Sequence, residues 1–86
     1  MVTRKIIAKK IISYLKHEIT LEDLVNWSEN SVMDEEFEPN NYNNIMDVLS
    51  RLGLADVKAF GITIDDCEQL LTQLGYKLNF EVVEIN

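Results

Sequence analysis

The first apolar residues of the chain recur at the spacing of one helix face. They fall at i, i+4, i+7 and i+8 and are Ile7, Ile11, Tyr14 and Leu15, with Ile6 and Ile12 widening the stripe. The opposite face is polar and carries Lys5, Lys9, Ser13 and Lys16. This pattern predicts an amphipathic helix over residues 4–16.

A second helix is predicted to begin after Thr20. Asp23 follows Thr20 by three residues, which is an approximate capping box with Asp in place of the usual Glu or Gln. Trp27 lies at one edge of the apolar stripe, which is formed by Leu21, Leu24, Val25 and Val32. The stripe fades into the acidic segment 34–38, and Pro39 ends the element because proline disfavours helix at the residue before it.

Two further helices are predicted in the second half of the chain. The third has apolar residues at i, i+3, i+4, i+7 and i+10, namely Tyr42, Ile45, Met46, Leu49 and Leu52, and Gly53 stands where a helix commonly ends. The fourth opens with Thr63 and Asp66, a second capping pattern, and its predicted buried side is Ile64, Cys67, Leu70, Leu71 and Leu74. Residues 54–62 show no clear period, and we expect a loop or short strand tucked onto the core by Leu54, Val57, Phe60 and Ile62.

The tail changes period, because apolar and polar residues alternate strictly over residues 76–82. Alternation predicts a β-strand, and its backbone groups need a partner. The partner is either residues 57–62, giving a two-stranded ribbon, or the same strand of a second copy, giving a homodimer. Gly61 interrupts the weak strand pattern of 57–62, which favours the dimer. The predicted fold is mainly α, with four short helices around one core and a C-terminal strand; α+β is the alternative.

Length and composition indicate one small folded domain over residues 1–86. A chain of 86 residues is too short for two cores, and its 47% hydrophobic content lies far from disordered compositions. Cys67 is the only cysteine, so no intramolecular disulfide can form and we expect a cytoplasmic protein. The basic N-terminus lacks the features of a signal peptide, and no stretch is long enough to span a membrane.

Charge is segregated along the chain. Residues 1–17 carry five basic side chains and no acid, whereas all 15 acids and only three basic side chains follow, for a net charge of −7. Between His17 and Ser50 there are nine carboxylates and no Lys or Arg. Such a charge pattern gives information about binding partners and association rates rather than about the fold. It opposes nucleic-acid binding, because the body of the protein would repel phosphates.

No catalytic, cofactor or metal motif accompanies this charge. The acidic segment is spaced like the start of an EF-hand loop, but Pro39 and Ile45 occupy the positions of its glycine and its last ligand. His17 is the only histidine, so a zinc-protease motif cannot be completed. Cys67 lies among acids that disfavour its thiolate and shares an apolar stripe, so we expect a core residue. The sequence therefore predicts a protein that is not an enzyme.

The acidic region also contains aromatic residues that either pack in the core or anchor a partner. Aromatic anchors beside steering charges are typical of tight protein interfaces. The predicted binding surface comprises Glu22, Asp23, Glu29, Asp34, Glu35, Glu36 and Glu38, together with Trp27 and Phe37. Its predicted partner is a basic protein.

Capping and apolar positions recur in a recognisable order over residues 15–74, namely Glu18, Ile19, Thr20, Trp27, Leu49, Leu52 and Asp56. In these positions the chain resembles small acidic bacterial immunity-type proteins of polymorphic toxin systems. The resemblance implies a non-enzymatic immunity protein or inhibitor that covers a toxin, and it carries no catalytic residues. The alternative is a structural or assembly module that self-associates through its C-terminal strand.

Overall fold

The structure is a computed structural model that describes residues 1–34, 36–56 and 62–79. Its helices are α1 (Arg4–Leu15), α2 (Leu21–Asp34), α3 (Tyr42–Gly53) and α4 (Ile64–Gln73), and a 3-10 turn (Pro39–Asn41) precedes α3. The prediction of a mainly helical protein is confirmed. Within the described ranges, no helix is long and apolar enough to cross a membrane.

Side-chain caps fix where three of the helices begin. Thr3 accepts a hydrogen bond from the amide of Ile6 at the start of α1. At the start of α4, the Thr63 hydroxyl accepts from the Asp66 amide while the Asp66 carboxylate accepts from the Thr63 amide, a complete capping box. Thr20 and Asp23 make the same reciprocal pair before α2. Asp thus fills the role that Glu or Gln usually has in this motif.

The C-terminal ends of α1 and α4 share one geometry. In α4, Gly75 has φ 92, and the Tyr76 amide donates to the Leu71 carbonyl at 2.8 Å. In α1, His17 has φ 63, and the Glu18 amide donates to the Ser13 carbonyl at 2.9 Å. Both ends are Schellman motifs, which need one left-handed residue. Glycine adopts that conformation readily, whereas histidine adopts it at a cost.

One core joins the four helices. It contains Ile7 and Ile11 of α1 and Leu24 of α2, and the remaining buried side chains include Ile45, Val48, Leu49, Leu52, Cys67, Leu70, Leu71 and Leu74. The most extensive helix pair is α2 with α3. The apolar stripes of α1, α3 and α4 largely match this core, except that Ile6, Tyr42 and Ile64 are exposed.

The buried face of α2 differs from its predicted stripe. Ser28 and Ser31 are buried, whereas Val32 is exposed. The Ser28 hydroxyl donates to the Leu49 carbonyl of α3 at 2.6 Å. Small side chains let the two helix backbones approach, and the hydrogen bond satisfies the buried hydroxyl. The prediction that Val32 is a core residue is therefore wrong, because the serines take the face toward α3.

The predicted C-terminal strand is not confirmed. Residues 76–79 form no ladder, and residues 80–82 of that prediction lie outside the described residues. Of the segment predicted to pair with it, residues 57–61 also lie outside, while Ile62 is half-buried against the core. Leu54 was expected to tuck onto the core but is exposed, because α3 ends beside it at Gly53.

Candidate protein-binding site

The exposed side of α2 contains two carboxylates of the predicted surface, Glu22 and Glu29. Glu22, Asn26, Glu29 and Met33 recur near the helical period, and all four are exposed; we call this set the outer face of α2. Within the part of the chain that the structure describes, no ion pair involves Glu22 or Glu29. Two carboxylates therefore face solvent on the same side of the helix, and neither is paired with a basic side chain among the described residues.

Asp23 is exposed but has a structural task. Its carboxylate accepts a hydrogen bond from the Thr20 amide, and its own amide donates to the Thr20 hydroxyl, each at 3.1 Å. A carboxylate at this position also interacts favourably with the positive end of the helix dipole. Asp23 thus stabilises the start of α2 whether or not it meets a partner.

Glu38 belongs to a contact within the molecule. Its carboxylate accepts from the Arg4 backbone amide at 3.1 Å and from the Asn41 side chain at 3.2 Å, and it lies 3.5 Å from the Arg4 Nε. The hydrogen bond from the Arg4 amide and the nearby guanidinium hold the pKa of Glu38 below its usual value. Arg4 also reaches the Leu74 carbonyl at 3.5 Å, so it ties the acidic segment to the end of α4.

Phe37 is held by the same N-terminal connection. Val2 forms a single parallel β-bridge with Phe37: the Val2 amide donates to the Glu36 carbonyl at 2.6 Å, and the Glu38 amide donates to the Val2 carbonyl at 3.0 Å. The Phe37 ring is half-buried against the core and meets Tyr42 edge-on, with centroids 5.8 Å apart. Most of Phe37 therefore serves packing, while the Glu36 side chain next to it is exposed.

Trp27 lies where the basic first helix meets α2. It is half-buried against the core, and the Lys10 Nζ stands 5.5 Å from its ring centroid. A lysine at this distance over an indole is a cation–π contact. The contact covers one side of the ring with a residue of the same chain, so Trp27 offers a partner only part of its surface.

The predicted surface thus divides into free and engaged groups. Glu22, Glu29 and Glu36 are exposed, Asp23 caps α2, and Trp27, Phe37 and Glu38 make the contacts described above. Asp34 is the last residue of α2, and Glu35 lies outside the described residues.

A groove between α2 and α3 was not anticipated from the sequence. Its volume is about 470 Å³, and it is lined by Glu29, Val32, Met33, Leu49, Ser50, Gly53 and Leu54; we call it the α2–α3 groove. Met33 is 77% exposed, Leu54 46% and Val32 37%. These adjacent side chains form a small exposed apolar patch, and apolar patches rimmed by polar residues are where proteins commonly bind partners. One sequence signal was available, since Met33 directly follows Val32 outside the regular stripe of α2.

Cys67 is a buried core residue, as expected. Burial, together with the charge of Asp66, raises the pKa of its thiol to about 11. Among the described residues, no three His, Cys, Asp or Glu side chains come together in a way that could hold a metal ion. Among the described residues, the acidic and apolar surface of α2 and α3 is therefore the candidate protein-binding site.

No model of a known protein family, no curated protein and no solved structure matches this chain.

Proposed function

We propose that the protein is a non-enzymatic binding protein whose acidic surface docks on a basic protein, most concretely as an immunity protein or inhibitor of a toxin. The observation that carries the proposal is the outer face of α2, where Glu22 and Glu29 are exposed and no basic residue occurs between His17 and Ser50. Glu36 adds a third exposed carboxylate nearby in sequence.

The charge arrangement suits fast capture of a basic partner. Carboxylates on one side of a small protein create a field that steers a basic protein before contact, and such steering raises association rates more than it raises affinity. Neutralising this field within the protein would remove the benefit, and the described part of α2 contains no lysine or arginine that could do so. The resemblance to immunity-type proteins supports the same class of function.

The test compares two matched charge reversals. Glu22 lies in the first turn of α2 and Asp65 in the first turn of α4, while Glu29 and Glu68 are exposed residues further along the same two helices. Glu22→Lys with Glu29→Lys changes the net charge by as much as Asp65→Lys with Glu68→Lys, and each pair disturbs one helix start.

Proteins retained by the immobilised chain are identified by mass spectrometry, and the association rate of the purified partner is then measured at several salt concentrations. We expect the retained partner to be basic and its association rate constant to decrease as salt is added. In the α2 variant this rate constant should fall by about tenfold or more, as expected for electrostatic steering. Equal slowing in the α4 variant would contradict the proposal, because net charge alone would then explain capture. A neutral or acidic partner would contradict it as well.

The alternative is a module that self-associates through residues 76–82. Leu78 is half-buried against the core while Lys77 and Asn79 are exposed, as the alternating pattern predicts. Tyr76, which the pattern places on the same side as Leu78, is exposed instead. The chain mass is 10.0 kDa, so light scattering after size exclusion distinguishes a monomer from a dimer of twice that mass. A dimer that Lys77→Pro dissociates would favour the alternative, since proline removes a ladder donor.

A further inference from the structure

The α2–α3 groove carries an inference about what the partner must present. Its floor includes Leu49, which is fully buried in the core, and its rim includes the exposed side chains of Val32, Met33 and Leu54. Met33 has an unbranched, polarizable side chain that adapts to different apolar shapes. The groove therefore offers an apolar surface that no described residue covers.

Gly53 lines the groove without a side chain that would narrow it. A Cβ atom built on Gly53 would lie 3.6 Å from the Glu29 Cγ, an ordinary contact distance. The glycine therefore has room for a side chain, which would fill space between Glu29 and α3. Glycine at this position leaves the side chain of Glu29 directly beside apolar groups of the groove.

The charge around the groove is one-sided. Glu29 is the only charged residue among the described lining residues, and Glu22 lies two turns before it on the outer face of α2. The nearest basic residue of α3 in sequence is Arg51, whose charge acts on Asp66 of α4, which places its influence on the far side of α3. A partner group that enters the groove therefore meets a carboxylate and, among the described lining residues, no competing cation.

We propose that the α2–α3 groove receives an apolar side chain from a basic amphipathic segment of the partner protein, whose Lys or Arg pairs with Glu29. This inference rests on the proposed function and specifies the partner's chemistry. An apolar anchor fills the groove, and a neighbouring cation meets the carboxylate at its rim, as when an amphipathic helix docks in a groove. A second copy placed symmetrically would bring two Glu29 carboxylates into one interface, and like charges there disfavour such a dimer.

The test uses the full chain and synthetic peptides as probes. The first peptide is a labelled amphipathic helix of Leu and Lys. In the second, Ser replaces Leu, so the charge is kept and the apolar face is lost. In the third, Gln replaces Lys, so the apolar face is kept and the charge is lost. Binding is measured by fluorescence anisotropy, and the methyl signals of Met33 and Met46 are followed by NMR.

Matched variants separate the groove from other surfaces. Met33→Gln is compared with Ile64→Gln, because Ile64 is also exposed, at 56%, but lies at the start of α4. Glu29→Gln is compared with Glu68→Gln, since both are exposed acids within helices. None of these side chains is part of the core, so the fold should persist in all four variants, and circular dichroism verifies this.

We expect the Leu/Lys peptide to bind and to shift the Met33 methyl signal more than the Met46 signal. Met33→Gln should weaken binding by about tenfold, as expected for losing part of one buried side chain, and Glu29→Gln should weaken it by about threefold, in the range of a rim ion pair. Ile64→Gln and Glu68→Gln should leave binding unchanged. The Ser and Gln peptides should both bind more weakly than the Leu/Lys peptide.

Several results would overturn the inference about the groove, and they can be distinguished from results that would contradict the proposed function. Equal weakening by Met33→Gln and Ile64→Gln, or no shift at Met33, would place the peptide elsewhere, while the charge-reversal test could still succeed. Absence of peptide binding would also overturn it. A protein mass that rises with concentration and falls in Met33→Gln would identify a second copy as the occupant. Tight, salt-independent binding of the Gln peptide would refute both the pairing with Glu29 and the electrostatic part of the function.

Discussion

Ser28 provides the sharpest test of how α2 and α3 are packed. Its hydroxyl is fully buried and donates to the Leu49 carbonyl across the helix interface at 2.6 Å. Ser50 is a serine in α3 whose side chain is exposed. Replacing each by Ala makes the same chemical change in a helix, so the difference between the two variants isolates the buried hydrogen bond.

The magnitude follows from two opposing terms. Either substitution gains roughly 0.5 kcal/mol of helix propensity, and loss of the Ser28 hydrogen bond costs about 1 kcal/mol net. The Leu49 carbonyl lies inside α3, where the amide four residues on can donate the regular helical bond, so truncation strands no acceptor. Ser28→Ala should therefore be less stable than Ser50→Ala by about 1 kcal/mol, or roughly 4–8 °C in melting temperature for a domain of this size.

A larger side chain tests the helix spacing itself. Ser28→Leu places a branched side chain where the backbones approach closely, and overpacking of this kind costs typically about 1–3 kcal/mol or more. Ser50→Leu places its side chain at the exposed rim of the α2–α3 groove and should change stability by less than about 0.5 kcal/mol. Urea titrations followed by circular dichroism measure both pairs. If Ser28→Leu unfolded at the same urea concentration as wild type, the described packing of α2 on α3 would be refuted.

Three further predictions concern helix ends, the thiol and the carboxylates. His17→Gly should stabilise the protein by about 1 kcal/mol in thermal melts, since glycine adopts the left-handed conformation without the cost histidine bears, and Gly75→Ala should destabilise it. Cys67 should react with a thiol reagent at pH 8 about 100-fold more slowly in the folded protein than in urea, because its pKa near 11 against 9.0 lowers the thiolate fraction by that factor; rapid native labelling would contradict this. Glu38→Gln should destabilise the protein at pH 7, because the contacts that lower the pKa of Glu38 in the folded protein stabilise its ionised form. This stabilisation is present above the ordinary pKa of 4.5 and is lost as the pH falls through the lower folded pKa. Glu29→Gln, measured in the same urea titrations, should not destabilise the protein.

Local signals in the sequence predicted the helices well. The Thr63 and Asp66 pattern became a capping box as expected, and the helix predicted over residues 4–16 spans Arg4–Leu15. Caps and apolar periods act over a few residues, so the sequence contains all the information they need.

Features that depend on distant residues could not be predicted in this way. The contact between Arg4 and Glu38 spans 34 positions in sequence, and no local pattern distinguishes Glu38 from its acidic neighbours. Ser28 and Ser31 lie four and seven residues after Leu24, on the buried face of α2. Because they are polar, an analysis of hydrophobic periodicity does not assign them to that face. The α2–α3 groove likewise arises only when Leu54 and Met33 come together across two helices.

Only some of the segregated charged side chains make contacts within the fold. Arg4 meets Glu38, and Lys10 lies over Trp27, so the basic first helix makes contact with the acidic region at two places. These contacts do not involve Glu22 and Glu29, which are exposed on the outer face of α2, and Glu29 also lines the α2–α3 groove. Clustered exposed carboxylates repel one another and add nothing to packing. Such charge favours solubility rather than packing, and its position beside the exposed side chain of Met33 is the physical reason to seek the function of this surface in binding.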